Sequence, residues 1–292
     1  MFLLELLSRL PLRILYRFSD LMFAVSYYVI RYRRNIARNN LRKSFPYKTE
    51  SELIDIEKKF YRNLCDYAVE TLKLLSMEKD EVMRRMVFKN PEVAAAFARD
   101  GKPMIFLASH QFNWEWLLAG ACLNTSPQLY YVYQRQSSSF FDLFSNLIRK
   151  RFGGLPVRRE QVGREALRKR GTLHSLALLA DQFPGLGHDK RYWTNFLHQE
   201  TAFFQGVNQL AIITQYPVIF FVCRKISRGH YECEMITISV PPYAKDELNV
   251  IANYVSKTEE IIHDQPENWL WTHNRWKKTR EEMGDARMDG IN

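Results

Sequence analysis

The sequence predicts an α/β fold: a mixed sheet flanked by helices, preceded by a helical, membrane-associating segment. Three observations carry this. Short apolar runs of strand length alternate with stretches of helical period. Two late apolar runs flank Arg228-Gly229, a hairpin signal that adds an antiparallel pair to an otherwise alternating pattern. The first thirty residues are strongly apolar yet broken by arginines.

Residues 2–30 contain no uninterrupted run of the roughly 18–20 apolar residues that a span requires, and the longest charge-free piece is Leu21–Ile30. No basic n-region precedes the stretch and no small-residue cleavage site ends it, which disfavours a removed signal peptide. Arg9, Arg13 and Arg17 recur every fourth residue, which gathers them on one side of a helix with Leu and Phe opposite. That pattern fits a helix at a membrane interface, with RYRR at 31–34 and Arg38, Arg42 and Lys43 suited to an anionic leaflet. A buried helix followed by a solvated basic helix fits the same residues.

From Ser51 a long helix follows, with Asp55 and Glu57 near its start and Leu53, Ile56, Phe60, Leu64 and Ala68 in helical period. Strands are expected at Lys102–Ala108, Gln128–Gln134, His174–Ala180, Val218–Arg224 and Tyr231–Val240. Helices are expected at Trp114–Leu123, Ser138–Phe152, Gln161–Arg170, Phe203–Gln215 and 245–263. The organisation reads as an N-terminal helical segment over 1–90, an α/β domain over 91–280 and a loose charged tail over 281–292.

The net charge is +10, and it is unevenly spread. Residues 1–48 carry ten Lys or Arg against Glu5 and Asp20, and residues 149–170 carry nine against Glu160 and Glu165. Such clusters attract anions: phospholipid headgroups, phosphorylated substrates or an acidic protein. No nucleic-acid-binding signature accompanies them. The four cysteines have neither CxxC nor Cys/His ligand spacing, so they read as buried reduced thiols and no metal site is expected.

Chemistry concentrates in PMIFLASHQFNWEWLL, residues 103–118. His110 and Glu115 are five apart, which on one helix turns them roughly 140° from each other. They meet only if His110 ends a strand and Glu115 enters a helix, with Asn113 as the N-cap between. A carboxylate on one imidazole nitrogen makes the other a better base, able to deprotonate a hydroxyl without a covalent intermediate. No GxSxG elbow is present, which disfavours a serine acyl-enzyme. A satisfied strand-end histidine beside a surface acid fits the spacing alone equally well.

Further blocks, in order, add to it: RNIARNNLRKSFP at 34–46, RKRFGG at 149–154, LLADQFPG at 178–185, NFLHQETAFFQGVNQLAIITQYPVI at 195–219 and WLWTHNRWK at 269–277. Together with ASHQFNWEW they resemble the late lauroyl/myristoyl acyltransferases of lipid A biosynthesis, within the HxxxxE glycerolipid acyltransferase group, over about residues 30–280. The resemblance departs at Leu197-His198, where that family usually carries a Phe-Gly-like pair; acyl-chain or acceptor preference is the property this touches. It implies His110 as general base, Glu115 as its orienting partner, and transfer of an acyl chain from a thioester, on acyl carrier protein, to a hydroxyl of a phosphorylated glycolipid. It further implies Arg149, then Arg151, as the cation facing the oxyanion, with Asp181 shaping the site from the next strand end. Arg275 and Lys277 are candidates for phosphate or for packing carbonyls. It implies no cofactor beyond the thioester co-substrate, no nucleic acid, and a place on the cytoplasmic face of a bacterial inner membrane. The same chemistry on a lysophospholipid or aminolipid, and a non-catalytic basic lipid- or nucleic-acid-binding module, are the rival readings.

Overall fold

The computed structural model describes residues 2–125, 127–185 and 190–285. The N-terminal segment forms α1 (Phe2–Ser8) and α2 (Leu12–Ala24), broken at Pro11, whose missing N–H and fixed φ end one helix and start the next. Arg9 therefore falls in the turn, and only Arg13 and Arg17 stay on one helix. A π-helical turn, Val25–Val29, follows, and left-handed Arg31 and Arg33 lead into α3 (Arg34–Ser44). Then comes α4 (Glu50–Lys73). It starts one residue before the expected Ser51 and is capped by Thr49: the Thr49 side chain accepts from the Glu52 N–H while the Glu52 carboxylate accepts from the Thr49 N–H, a closed capping box.

α2 has two apolar faces. Leu12, Leu15 and Phe23 are buried, and Ser19 donates to Asp66 of α4 at 2.7 Å. Ile14, Phe18, Leu21, Met22 and Val25 are exposed on another face, as are Phe2, Leu3 and Leu6 of α1. No described helix is long and apolar enough to cross a membrane.

The body is built on a seven-stranded sheet. After α5 (Lys79–Arg85), the strands and helices run β1 (Met86–Phe88), α6 (Glu92–Arg99), β2 (Met104–Ala108), α7 (Trp114–Asn124), β3 (Gln128–Tyr133) and α8 (Ser139–Arg151). They continue with β4 (Leu155–Arg158), α9 (Val162–Arg168), β5 (His174–Leu179), β6 (Arg191–Phe196), β7 (Gln199–Phe204) and α10 (Gly206–Thr214). The last are β8 (Val218–Ser227), β9 (His230–Ser239) and α11 (Asn249–Asp264). The sheet order is β1-β9-β8-β2-β5-β3-β4, with β6 and β7 paired separately. β2 is parallel to both its neighbours, β5 and β8, and β9 returns antiparallel to β8, so the sheet is mixed.

All five β2 residues are buried, as a strand covered on both faces requires. Alternation sends Ile105 and Leu107 to one core, with residues of α10 and α11, and Met104, Phe106 and Ala108 to the other, with residues of α7. Four strands depart from the expected pattern. β1 is too short to read and lies inside the predicted 1–90 segment, yet it pairs with β9. β4 carries Pro156 and Arg158 at a sheet edge, where a missing donor and a charge are tolerated. β6 and β7 fall where no strand is expected, and β7 takes Phe203 and Phe204 from the helix expected from Phe203, which starts instead at Gly206.

Leu197 and His198 are the turn of the β6–β7 hairpin, at φ 51° and 61°. Positive φ at both positions is the type I′ form of the two-residue hairpin turn, which is why glycine or asparagine is favoured there. Leu197 is held by burial and by its N–H donating to Glu259, so this departure from the family pattern sits at a turn. At the C-terminus, Glu281–Met283 form a 3-10 turn and Asp285 accepts from Arg191 and Trp193. The rest of the predicted loose tail, 286–292, lies outside the described residues.

Candidate active site

β2 and β5 are parallel neighbours, and each delivers one functional side chain two residues past its carboxyl end, His110 and Asp181. Ligand sites in such sheets lie there. Tyr254 of α11 joins the two strand ends: its hydroxyl donates to the Ala108 carbonyl at 3.0 Å and accepts from the Ala180 N–H at 3.1 Å. The segment after His110 is pinned as firmly, because the Phe112 N–H donates to the Asn268 carbonyl and the Gln111 amide donates to the Ile261 carbonyl.

Asp181 is fully buried and receives three donors. The His110 N–H and the Trp269 Nε1–H donate to Oδ2 at 2.8 and 2.7 Å, and His110 Nδ1–H donates to Oδ1 at 2.6 Å. Burial alone would raise this carboxyl. The His110 imidazole and the donors outweigh burial and hold it down at about 2. With Nδ1 committed to Asp181, Nε2 is the basic nitrogen of His110.

Glu115 does not pair with His110. Asn113 caps α7 as expected, its Oδ1 accepting from the Glu115 and Trp116 N–H groups at 3.1 Å each. That start turns the Glu115 carboxylate toward α8, where Arg149 meets it side-on. Nε donates to Oε2 at 2.9 Å and Nη2 to Oε1 at 2.5 Å. Burial would lower the Arg149 guanidinium, but Glu115 more than compensates and keeps it charged. The orienting carboxylate for His110 is therefore Asp181, and Glu115 orients Arg149.

His110, Glu115 and Arg149 line one cleft of about 720 Å³, together with Phe141, Phe183 and Phe204. A narrow apolar pocket of about 70 Å³ opens beside the same Glu115 and Arg149 and runs between Leu117, Leu118, Ala121 and Phe106. The site thus combines a base, a fixed cation and an apolar slot.

The remaining candidates stand apart. Arg151 is not at the cleft: it donates to the Leu74 and Met77 carbonyls behind α4. Arg275 is buried, donates to the Ala202 carbonyl and stacks over Phe203, and burial pulls it down to about 10. It holds a packing carbonyl, the second of its two expected roles. Burial and then Arg275 push His273 down to about 4, so its imidazole is neutral at pH 7. Lys277 is exposed and sits over the ring of Phe183, a cleft residue, at 4.5 Å. Sequence reasoning missed Trp269 and Tyr254. The available signal was that an Asp two residues past a strand end needs donors.

The family model described as bacterial lipid A biosynthesis acyltransferase matches residues 1–278. The chain belongs to that family. It is an acyltransferase of lipid A biosynthesis by membership, and the match takes in the N-terminal helices as well as the sheet. Among curated proteins, none matches the chain.

The Asp181 carboxyl has a stability consequence. Held at about 2 against an ordinary 3.8, it contributes stability above pH 4 that is lost as pH falls toward 2. A shift of that size corresponds to about 2 kcal/mol. In urea unfolding, the wild type is expected to lose about 1–2 kcal/mol more than Asp181→Asn between pH 5 and pH 2.5. Equal losses would show that Asp181 is not held in its ionised form by the fold.

Proposed function

We propose that this acyltransferase moves a fatty acyl chain from an acyl thioester, carried by acyl carrier protein, to a hydroxyl of a phosphorylated glycolipid precursor of lipid A. The observation that carries this reading is the His110–Asp181 pair opening on the same cleft as the Glu115–Arg149 pair. His110 Nε2 takes the hydroxyl proton as the oxygen attacks the thioester carbon. The carbonyl electron pair moves to oxygen, and the resulting anion faces the Arg149 guanidinium, which Glu115 holds in place. Collapse re-forms the carbonyl and expels the thiolate, which takes its proton from the His110 imidazolium. No acyl-enzyme forms and no cofactor is needed. The cleft, with Phe141, Phe144, Phe183 and Phe204 on its wall, has the room for the acyl chain, the small apolar pocket beside Arg149 taking no more than a short piece of it, and the basic surface at the end of α8 suits an acidic carrier protein.

Purified protein given acyl carrier protein thioester and a lipid A precursor should yield a product heavier by one acyl group in mass spectrometry. His110→Ala should lower kcat about 10³-fold in a protein that still folds, with a melting temperature lowered by the loss of one of the three donors to Asp181. Wild-type turnover in that variant, or a product formed only on a lysophospholipid or aminolipid, would overturn the reading.

The protein works at a membrane surface, on the cytoplasmic face of the inner membrane. The support is the exposed apolar face of α1 and α2, with Arg13, Arg17 and the 31–34 arginines beside it. Deleting residues 1–30 would strip Leu15, Phe23 and Tyr27 from the core, so a surface variant is the cleaner test. Phe18→Gln, Leu21→Gln and Val25→Gln together should reduce sedimentation with anionic vesicles about tenfold or more while leaving the fold intact. Unchanged sedimentation would place the membrane contact elsewhere.

A further inference from the structure

Glu70 of α4 is fully buried and takes no part in the chemistry above. Its two oxygens accept from three neutral donors on three separate elements. Tyr16 of α2 donates to Oε1 at 2.9 Å, while Asn113 Nδ2 and Tyr231 of β9 donate to Oε2 at 2.8 and 2.7 Å. The Glu70 backbone carbonyl accepts from Trp116 Nε1 of α7 at 2.8 Å. A carboxylate is the one side-chain group that accepts on both oxygens without offering a hydrogen. Burial and then the Glu70 charge raise both the Tyr16 and Tyr231 hydroxyls far above the usual tyrosine value, so both remain protonated donors.

The bond to Asn113 has a directional consequence. With Nδ2 fixed on Glu70, the Asn113 amide must aim Oδ1 at the Glu115 and Trp116 N–H groups. The amide therefore works in two directions: it caps α7 and locks that helix to α4. Tyr16 is itself over-determined. Arg228 stacks on its ring at 4.4 Å, and a Cβ at Gly229 would lie 2.2 Å from its hydroxyl, so the β8–β9 turn leaves room for that oxygen and little else. The next turn of α2 carries the exposed Phe18, Leu21 and Met22.

We propose that Glu70 is a positioning residue for acyl transfer, linking α2 through Tyr16 to the Asn113 cap of α7 and thereby setting the Glu115–Arg149 pair. A shift of α2 at its membrane-facing side is felt at the start of the helix that bears Glu115, through one carboxylate. This deepens the proposed function and rests on it for the catalytic consequence, while the mechanical link stands on the hydrogen bonds alone.

The test uses the full chain with Tyr16→Phe, Asn113→Ser, their double variant, and Glu70→Gln. Serine keeps an N-cap acceptor but has no amide to give Glu70. Hydrogen exchange of residues 113–118 reads the link without any substrate, and kcat reads its effect. Tyr16→Phe is expected to speed exchange across 113–118 about fivefold and to lower kcat about fivefold, with the donor KM within twofold and the melting temperature lowered by only a few degrees for the one lost bond. Glu70→Gln should lower kcat about twentyfold. The double variant should lose less than the product of the two single losses, because both act through the same carboxylate. Exchange and kcat both unchanged in Tyr16→Phe, or losses that multiply without deficit, overturn the proposal. Faster exchange with kcat within twofold also overturns it. Faster exchange in a protein whose wild type transfers no acyl chain supports the link and defeats the reaction assigned to the site.

Discussion

The short contact between His110 Nδ1 and Asp181 holds the candidate active site together, since it joins the ends of two parallel strands and decides which imidazole nitrogen is basic. A carboxylate this deeply buried is stable only if its desolvation is repaid by donors. Three are supplied, one from backbone and two from rings, and each comes from a segment that must be in its final place to donate. Trp269 reaches Asp181 because residues 266–271 bridge back to Gln111, and Tyr254 keeps the two strand ends in register below. The sheet, α11 and the C-terminal segment thus converge on one carboxyl group.

Three further buried carboxylates follow the same rule with different partners. Glu115 is given Arg149, Glu57 is given Arg34 and Arg38, and Glu70 is given neutral donors only. The first fixes a cation over the cleft and the second fastens α3 to α4. The third joins the N-terminal helices to the start of α7. Placing cations and donors this way lets acidic groups sit inside an apolar α/β core, where an unpaired charge would cost several kcal/mol. It also explains why the first thirty residues are part of the fold: α2 carries apolar side chains inward and outward at once.

Much of this was legible in the residues. The long buried strands announced themselves as apolar runs: β2, β3, β5 and β9 lie within two residues of their expected bounds, and β8 runs three residues past its expected end. Asn113 was readable as a cap because Trp114 onward keeps a helical pattern. β6 and β7 were not, since their residues are polar or aromatic and their turn uses Leu197-His198 instead of the glycine that usually marks one. The site divided in the same manner. His110 and Glu115 stood out through spacing, yet spacing within a motif says nothing about a partner 71 residues away. Asp181 was placed at the neighbouring strand end; its bond to the imidazole depended on sheet order, which no local pattern encodes. Arg151 looked like a site cation by motif and serves carbonyls instead, while Arg275 takes the packing-carbonyl role, one of the two its motif allowed.

Nitrogen-15 resonances of the histidine rings give the most direct test of the central pair, with His110 identified by its loss in His110→Gln. At a pH where the imidazole is neutral, the account predicts a protonated Nδ1 and an unprotonated Nε2, and loss of that preference in Asp181→Asn. A His110 that carries its proton on Nε2 would contradict it.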